Sequence, residues 1–342
     1  MDRAPSITAP EPSARPAAPR PDRGRARALT LAKKWAFAVV PAIGVLELGA
    51  QLVQARRHID GGDWKRARDF VAGAAHPDDL VTFAPRWVDV IGREEFGPQV
   101  ATLEREARPD ETRFARAFEV SMHGGHDARL EGWKRIEDHD FGQVHVTTLE
   151  NPSPAHVLDD LVSLVSPDRL QVQRVDGDKV VDCPFTHAGV QSGGLGAGPA
   201  VPGDRFVCPT GGFVGASVAA DLDYYPRRCI YAPPQGNRSV LRLRFENVQI
   251  GRTLHGHHGL YVEAERNKTG QPVTITFRIH DAVVGAVVHH DGDGWKPFEF
   301  DTSAQLEGGA QEGANGARAD VVVDISSPSG DRRMYCFEAD TR

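Results

Sequence analysis

The second half of the chain breaks into short runs in which apolar and polar residues alternate. In "VLRLRFENVQI", Leu241, Leu243 and Phe245 fall on one side of an extended strand, and Arg242, Arg244 and Glu246 fall on the other. A period of two sends neighbouring side chains to opposite faces, so such a run needs a second layer to bury one of them. "LQVQRV", "LYVEAE", "VTITFRI", "VVGAVVHH", "FEFD" and "DVVVDIS" repeat the texture, separated by Gly, Pro, Asn and Asp turns. Short strands at this spacing predict a β-sandwich or barrel over residues 171–342. The 35 Gly and 24 Pro suit a loop-rich β structure. A Gly/Pro-rich lead-in precedes the sandwich, with strands expected in "FVGASVAAD" and "RRCIYAP".

Residues 58–152 read differently. "GGDWKRARDFVAGAA" places Trp64, Ala67, Phe70 and Val71 at helical spacing behind Asp63 as N-cap. "DLVTF" is a strand, "FGPQVATLEREA" a helix and "RFARAFEVSMHG" a second strand. "ARLEGWKRIEDHDF" begins as a helix, and "GQVHVTTLE" is a strand with Val144, Val146 and Thr148 alternating. Helix and strand in alternation predict a small parallel α/β layer, giving an α+β chain overall. "NPSPAHVLDDLVSLVSPDRL" supplies a linker helix over 153–170.

These stretches carry two resemblances. The run through "PDDLVTFAP", "RFARAFEVSMHG" and "LEGWKRIEDHDFGQVHVTTLENP" resembles the soluble Rossmann-like domain of dolichyl-phosphate-mannose mannosyltransferase-like membrane glycosyltransferases. Those enzymes work on many membrane helices, whereas this chain has one hydrophobic segment, so no catalytic residue transfers. The resemblance implies a link to envelope sugar chemistry. From "GDGWKPFEFDTSAQLEGG" to "ADVVVDISSPSGDRRMYCFEADTR", the chain resembles a jelly-roll, galactose-binding-like module, with the likeness extending over residues 240–342.

Residues 1–34 are rich in Pro, Ala and Arg and predict a disordered tail. The apolar stretch "WAFAVVPAIGVLELGAQLVQ" follows. About 20 residues at 1.5 Å rise cross a hydrocarbon core of roughly 30 Å, so residues 35–57 are expected to be a transmembrane anchor despite Pro41 and Glu47. The basic tail favours a cytoplasmic N-terminus and an extracytoplasmic bulk, at a bacterial inner membrane. An oxidising compartment would let Cys183, Cys208, Cys229 and Cys336 pair. Of three possible pairings, Cys183–Cys208 would close a loop of about 25 residues, and Cys229–Cys336 would tie the first strand region to the last. The net charge of -7 and the lack of a basic stripe in the folded part exclude nucleic acid as a partner.

Chemistry is sparser. Arg86, Trp87, Asp89 and Arg93 follow the first strand, where α/β folds place their ligand crevice, although a stabilising turn is the simpler reading. Trp87, Trp133 and Trp295 are candidate stacking platforms for sugars. His255 and His257 share one face of a strand and would ligate Zn²⁺ if a carboxylate approached, for instance from "VVHHDGDGW". Asp291 and Asp293 in "DGDG" offer oxygens for a structural calcium, against the simpler reading of an Asp-Gly turn. Glu263 and Glu265 alternate on a strand beside Tyr261. No catalytic set is assigned. Together these features describe a membrane-anchored envelope accessory protein that binds glycans in polysaccharide or protein glycosylation. The alternatives are a sugar-processing hydrolase or transferase, and a protein-interaction or structural envelope protein.

Overall fold

The structure, a computed structural model, describes residues 38–39, 41–51, 61–76, 78–97, 100, 107–108, 110–189, 200–209, 211–236, 239–308 and 317–342. The chain forms two units, Met1–His58 and Ile59–Arg342. In the first, residues 38–39 and 41–51 are helical. Val39, Ile43, Val45, Leu46 and Leu48 are exposed there. Among the described residues, no helix is long and apolar enough to cross a membrane. The tail expected at 1–34 lies outside the described residues, as does much of the anchor expected at 35–57.

The second unit begins with α1 (Gly61–Ala74), whose Trp64, Ala67 and Val71 are buried on one face. Strand β1 (Leu80–Ala84) ends at Pro85, and a 3₁₀ turn, Arg86–Val88, leads into α2 (Asp89–Phe96). Strands β2 (Arg116–Met122), β3 (Lys134–Phe141) and β4 (Val144–Glu150) complete a four-stranded sheet of order β1-β2-β4-β3. Phe118, Val120, Met122, Val144 and Val146 pack against Trp64, Ala67 and Val71, so the helices cover one face.

This corrects the parallel, Rossmann-like reading. Only β1 and β2 run parallel, and the other pairings are antiparallel. "KRIEDHDF", expected to continue a helix, is an edge strand with no fully buried residue. It has no apolar stripe at helical spacing. A turn at Gly142 (φ 80°) sends the chain straight back as β4, so no crossover connection forms. A Cβ on Gly142 would collide with the Asp63 carboxylate, which accepts a bond from Gln143 N at 3.1 Å. The helix expected over "FGPQVATLEREA" falls mostly on residues outside the described set.

The remainder is a sandwich of two sheets. Its strands are β5 (Asp159–Asp160), β6 (Leu170–Asp176), β7 (Lys179–Asp182), β8 (Phe185–His187), β9 (Asp204–Val207), β10 (Phe213–Ala220) and β11 (Pro226–Tyr231). They continue as β12 (Val240–Gln249), β13 (Thr253–Leu260), β14 (Val273–Ile279), β15 (Ala282–His289), β16 (Lys296–Asp301), β17 (Arg318–Ser326) and β18 (Tyr335–Thr341). One sheet has the order β16-β13-β18-β11-β10-β9-β8, with β5 on β18, and the other β15-β14-β17-β12-β6-β7. Leu241, Leu243 and Phe245 point inward with Ile275, Phe277, Val321, Val323 and Phe337, as the alternation predicts. Outside, Arg242 and Arg278 both pair with Asp324, and Arg244 pairs with Asp320.

The expected linker helix at 153–170 is also corrected, since the segment carries the two-residue strand β5 and turns instead. "LYVEAE" is corrected too: after Tyr261 the chain coils into a short helix, α3 (Val262–Asn267), which ends at Lys268 in the left-handed region. Glu265 is therefore buried, where its carboxylate accepts bonds from Leu260 N at 3.0 Å and Gly292 N at 2.7 Å. One further helix, α4 (Ser303–Gly308), follows β16. Disulfides join Cys183 to Cys208 and Cys229 to Cys336, closing sequence separations of 25 and 107.

The α/β layer is fastened to the sandwich by charge. Arg342 donates to Asp110 at 3.1 Å, and Arg113 pairs with Asp160 at 3.2 Å. The Tyr225 ring has the Arg86 guanidinium 4.4 Å from its centroid and that of Arg129 at 4.7 Å.

Candidate functional site

The face of the four-stranded sheet turned away from the helices is apolar at one end, where Leu80, Ala117 and Leu149 cluster, and polar beyond it. Because β2 and β4 bury Phe118, Val120, Val144 and Val146 on the helix side, Glu119, Ser121, His145 and Thr147 must emerge on the other. Strand register aligns them in rows. One row runs Thr82, Glu119, Thr147, Asp138 across all four strands, and the next runs Ser121, His145, Asp140. The 3₁₀ turn Ala128–Leu130 and Gly132 (φ 86°) then bring Trp133 over this face. Trp133 is partly buried and packs on Leu80, Ala117, Leu130 and Leu149, which hold its ring in place.

Glu119, Ser121, Trp133, Asp138, Asp140, His145 and Thr147 line a cleft of about 430 Å³ together with Gly124, Gly125, His126 and Arg135. Its acids are oriented. Glu119 accepts from Asp127 N at 2.5 Å through Oε1, and its Oε2 lies 3.0 Å from His126 Nδ1. Asp138 accepts from Thr147 Oγ1 at 2.9 Å and pairs with Arg135. The Arg135 bond holds the Asp138 carboxyl below its ordinary pKa. His145 is hydrogen-bonded to Asp140. One aromatic ring beside ordered carboxylates and imidazoles can bind a polyhydroxylated ring, the apolar face on Trp133 and the hydroxyls on the acids. A larger cleft of about 500 Å³ lies between the layers, but two of its three acids, Asp79 and Asp160, are already bonded to Arg116 and Arg113.

The residues singled out from sequence scatter. Arg86 pairs with Asp223 at 3.2 Å and stacks on Tyr225, so it fastens the two layers. Trp87 is 55% exposed, with His123 the aromatic neighbour of its ring at 6.2 Å. Asp89 bonds Arg93 at 2.8 Å, and burial raises its pKa despite that partner. Asp291 is bonded to Arg333 and Asp293 to Lys296, and among the described residues neither groups with His255 and His257 as a metal-ligating set. The acid that meets His255 and His257 is Asp110, from outside the sandwich. Trp295 stacks on His257 at 6.0 Å and 4°. Glu119, Asp138 and His145 were missed, although the alternation of "RAFEVSM" and "VHVTTLE" marks their face as the one left polar.

The fold and cleft define a two-part protein, a β-sandwich carrying a small mixed α/β layer with a polar, tryptophan-flanked groove. No protein-family model matches the chain, and no curated protein matches it. Among solved structures it is similar to the CBM51-2 and INT domains of Clostridium perfringens ZmpB in complex with GlcNAc, at 10% identity and TM-score 0.26, covering 50% of this chain and 37% of that one. It is also similar to a cyclase from Fischerella sp. TAU, at 12% identity and TM-score 0.24, covering 41% and 78%. The xylan-binding module CBM15 matches at 10% identity and TM-score 0.20, covering 50% and 95%. The chain spans 37% and 40% of the first two structures it matches. At these scores the likenesses carry no argument about its ligand.

Proposed function

We propose that this protein is a non-catalytic, glycan-binding accessory protein of the cell envelope, serving polysaccharide or protein glycosylation. The carrying observation is the placement of Trp133, fixed on a small apolar cluster at the rim of a cleft whose other walls are Glu119, Asp138, Asp140 and His145. A groove of this volume suits one or two sugar rings. Recognition is favoured over hydrolysis because Glu119 has both oxygens engaged and Asp138 is held ionised, leaving neither suited to deliver a proton. Two disulfides support an extracytoplasmic location. Exposed Val39, Ile43, Val45, Leu46 and Leu48 support attachment to the membrane through the preceding segment.

The test is calorimetric titration of the full chain with soluble envelope saccharides, alongside Trp133→Ala. The reading expects at least one saccharide to bind the parent and to be lost in the variant. A blank across the panel, or equal binding by both, sinks it and leaves the protein-partner reading.

A further inference from the structure

On the outer face of the eight-stranded sheet, β13 carries His255 and His257 two residues apart, with ring centroids 5.1 Å from each other. Gly256 lies between them, where a Cβ would strike the Glu338 carbonyl and the Phe298 ring. Asp110, between α2 and β2 of the α/β layer, comes down over this pair. One donor atom from each of Asp110, His255 and His257 lies within 4.8 Å of the other two. We propose that these three residues form a binding site for a first-row divalent transition metal of the Zn²⁺ class.

Three observations point to an ion rather than a closed polar network. First, His255 Nδ1 is buried and has no hydrogen-bond partner among the described atoms; Asp110 Oδ2 stands 3.6 Å away and Asp340 Oδ1 4.0 Å. Those separations are too long for hydrogen bonds, whereas a bridging cation would satisfy both groups. Second, Glu338 on β18 stands opposite His257 in register, and its Oε1 lies 2.7 Å from His257 Nδ1. A carboxylate on one imidazole nitrogen turns the other outward, the arrangement that metal-binding histidines use. Glu338 is fully buried, and its Oε2 also lacks a partner. Third, the Trp295 ring lies parallel to that of His257 and fixes its plane.

The donor set fits the class. Two imidazoles and one carboxylate suit Zn²⁺, with a fourth position left to water. Asp110 keeps one acceptor position, on Oδ2, since its Oδ1 accepts from Thr112 N and Oγ1 and its Oδ2 from Arg342, and a carboxylate offers about four. The three side chains are 10–12% exposed, so the site is narrow but open to solvent. A metal there would clamp the α/β layer onto the sandwich.

The experiment uses the tag-free full chain, stripped with a chelator and titrated with Co²⁺ and then Zn²⁺. Visible d–d absorption reports the coordination, and quenching of tryptophan fluorescence reports proximity to Trp295. The expected result is one Co²⁺ per chain, displaced by Zn²⁺, with quenching that disappears in Trp295→Phe. Asp110→Asn and His255→Ala should each weaken binding at least tenfold. His255→Ala removes a ring whose Nδ1 makes no bond, and unchanged near-ultraviolet dichroism would show that it folds. No stoichiometric binding by the parent, or parent-like affinity in both folded variants, overturns the proposal.

Discussion

Glu265 Oε1 and His289 Nε2 lie 2.7 Å apart, both at zero exposure, and so bind α3 to the end of β15. The same carboxylate accepts from Leu260 N and Gly292 N. Replacing Glu265 by Ala leaves the buried Leu260 N–H and His289 without partners, at roughly 1–3 kcal/mol each, while the exposed Gly292 N–H turns to water, so the expected loss is about 3 kcal/mol. Glu265→Gln, which retains one acceptor oxygen, should lose less. Urea unfolding midpoints decide the matter, and equal stability of Glu265→Ala and the parent would contradict this role.

Asp127 links β1 to the site turn. It accepts from Thr82 Oγ1 at 2.8 Å and forms a pair with Arg129 at 2.6 Å. Burial opposes its ionisation, but the bonds from Arg129 and Thr82 outweigh that and lower its pKa. The folded protein therefore binds this proton less readily than the unfolded chain does. The contribution is present above the unfolded carboxylate value near 3.9 and is lost as pH falls through the depressed folded value. Asp127→Asn should cost roughly 2–3 kcal/mol at pH 7, below the range for a fully buried pair because Arg129 is partly exposed. Unfolding of both proteins at pH 7 and in acid should show that gap closing; a gap independent of pH would refute the assignment.

The two disulfides should differ in worth. On the chain-entropy view, the separation of 25 gives about 3.5 kcal/mol and that of 107 almost 5. Paired Ser substitutions at Cys229 and Cys336 should therefore lower the denaturation midpoint more than those at Cys183 and Cys208. The reverse order would show that strand packing already restrains β11 and β18.

Within the cleft, aromatic area should matter more than any single acid. Trp133→Phe should keep most saccharide affinity, Trp133→Ala should lose tenfold or more, and Asp138→Asn should fall between them. Competition binding with one soluble sugar measures all three. An Asp138→Asn loss exceeding that of Trp133→Ala would move the binding energy from stacking to hydrogen bonding.

The sandwich was legible because period-two alternation is a local consequence of burial: Leu241, Leu243 and Phe245 had no other stable use. The α/β layer misled at "KRIEDHDF". An edge strand whose burial is limited to His139 and Phe141 has too little apolar pattern to distinguish it from a charged helix. "LYVEAE" failed for a related reason, since Glu265 is buried by partners far away in sequence. His255 and His257 were visible as a pair, yet Asp110 was not visible as their neighbour. That approach depends on how the layer docks on β13, which no window of sequence contains. The cleft face was readable in principle, as the complement of Val144 and Val146 on β4.

Strand β18 pairs with β13 on one side and β11 on the other, though both precede it by long stretches of chain. During synthesis, β11 and β13 must therefore leave the ribosome with a shared neighbour still missing. The eight-stranded sheet cannot close in sequence order; it waits for residues 335–341 to arrive between two strands already made. Such distant pairing slows folding and leaves unpaired strand edges exposed meanwhile. Closing the sheet therefore requires an insertion, and the Cys229–Cys336 bond fastens the inserted strand to β11.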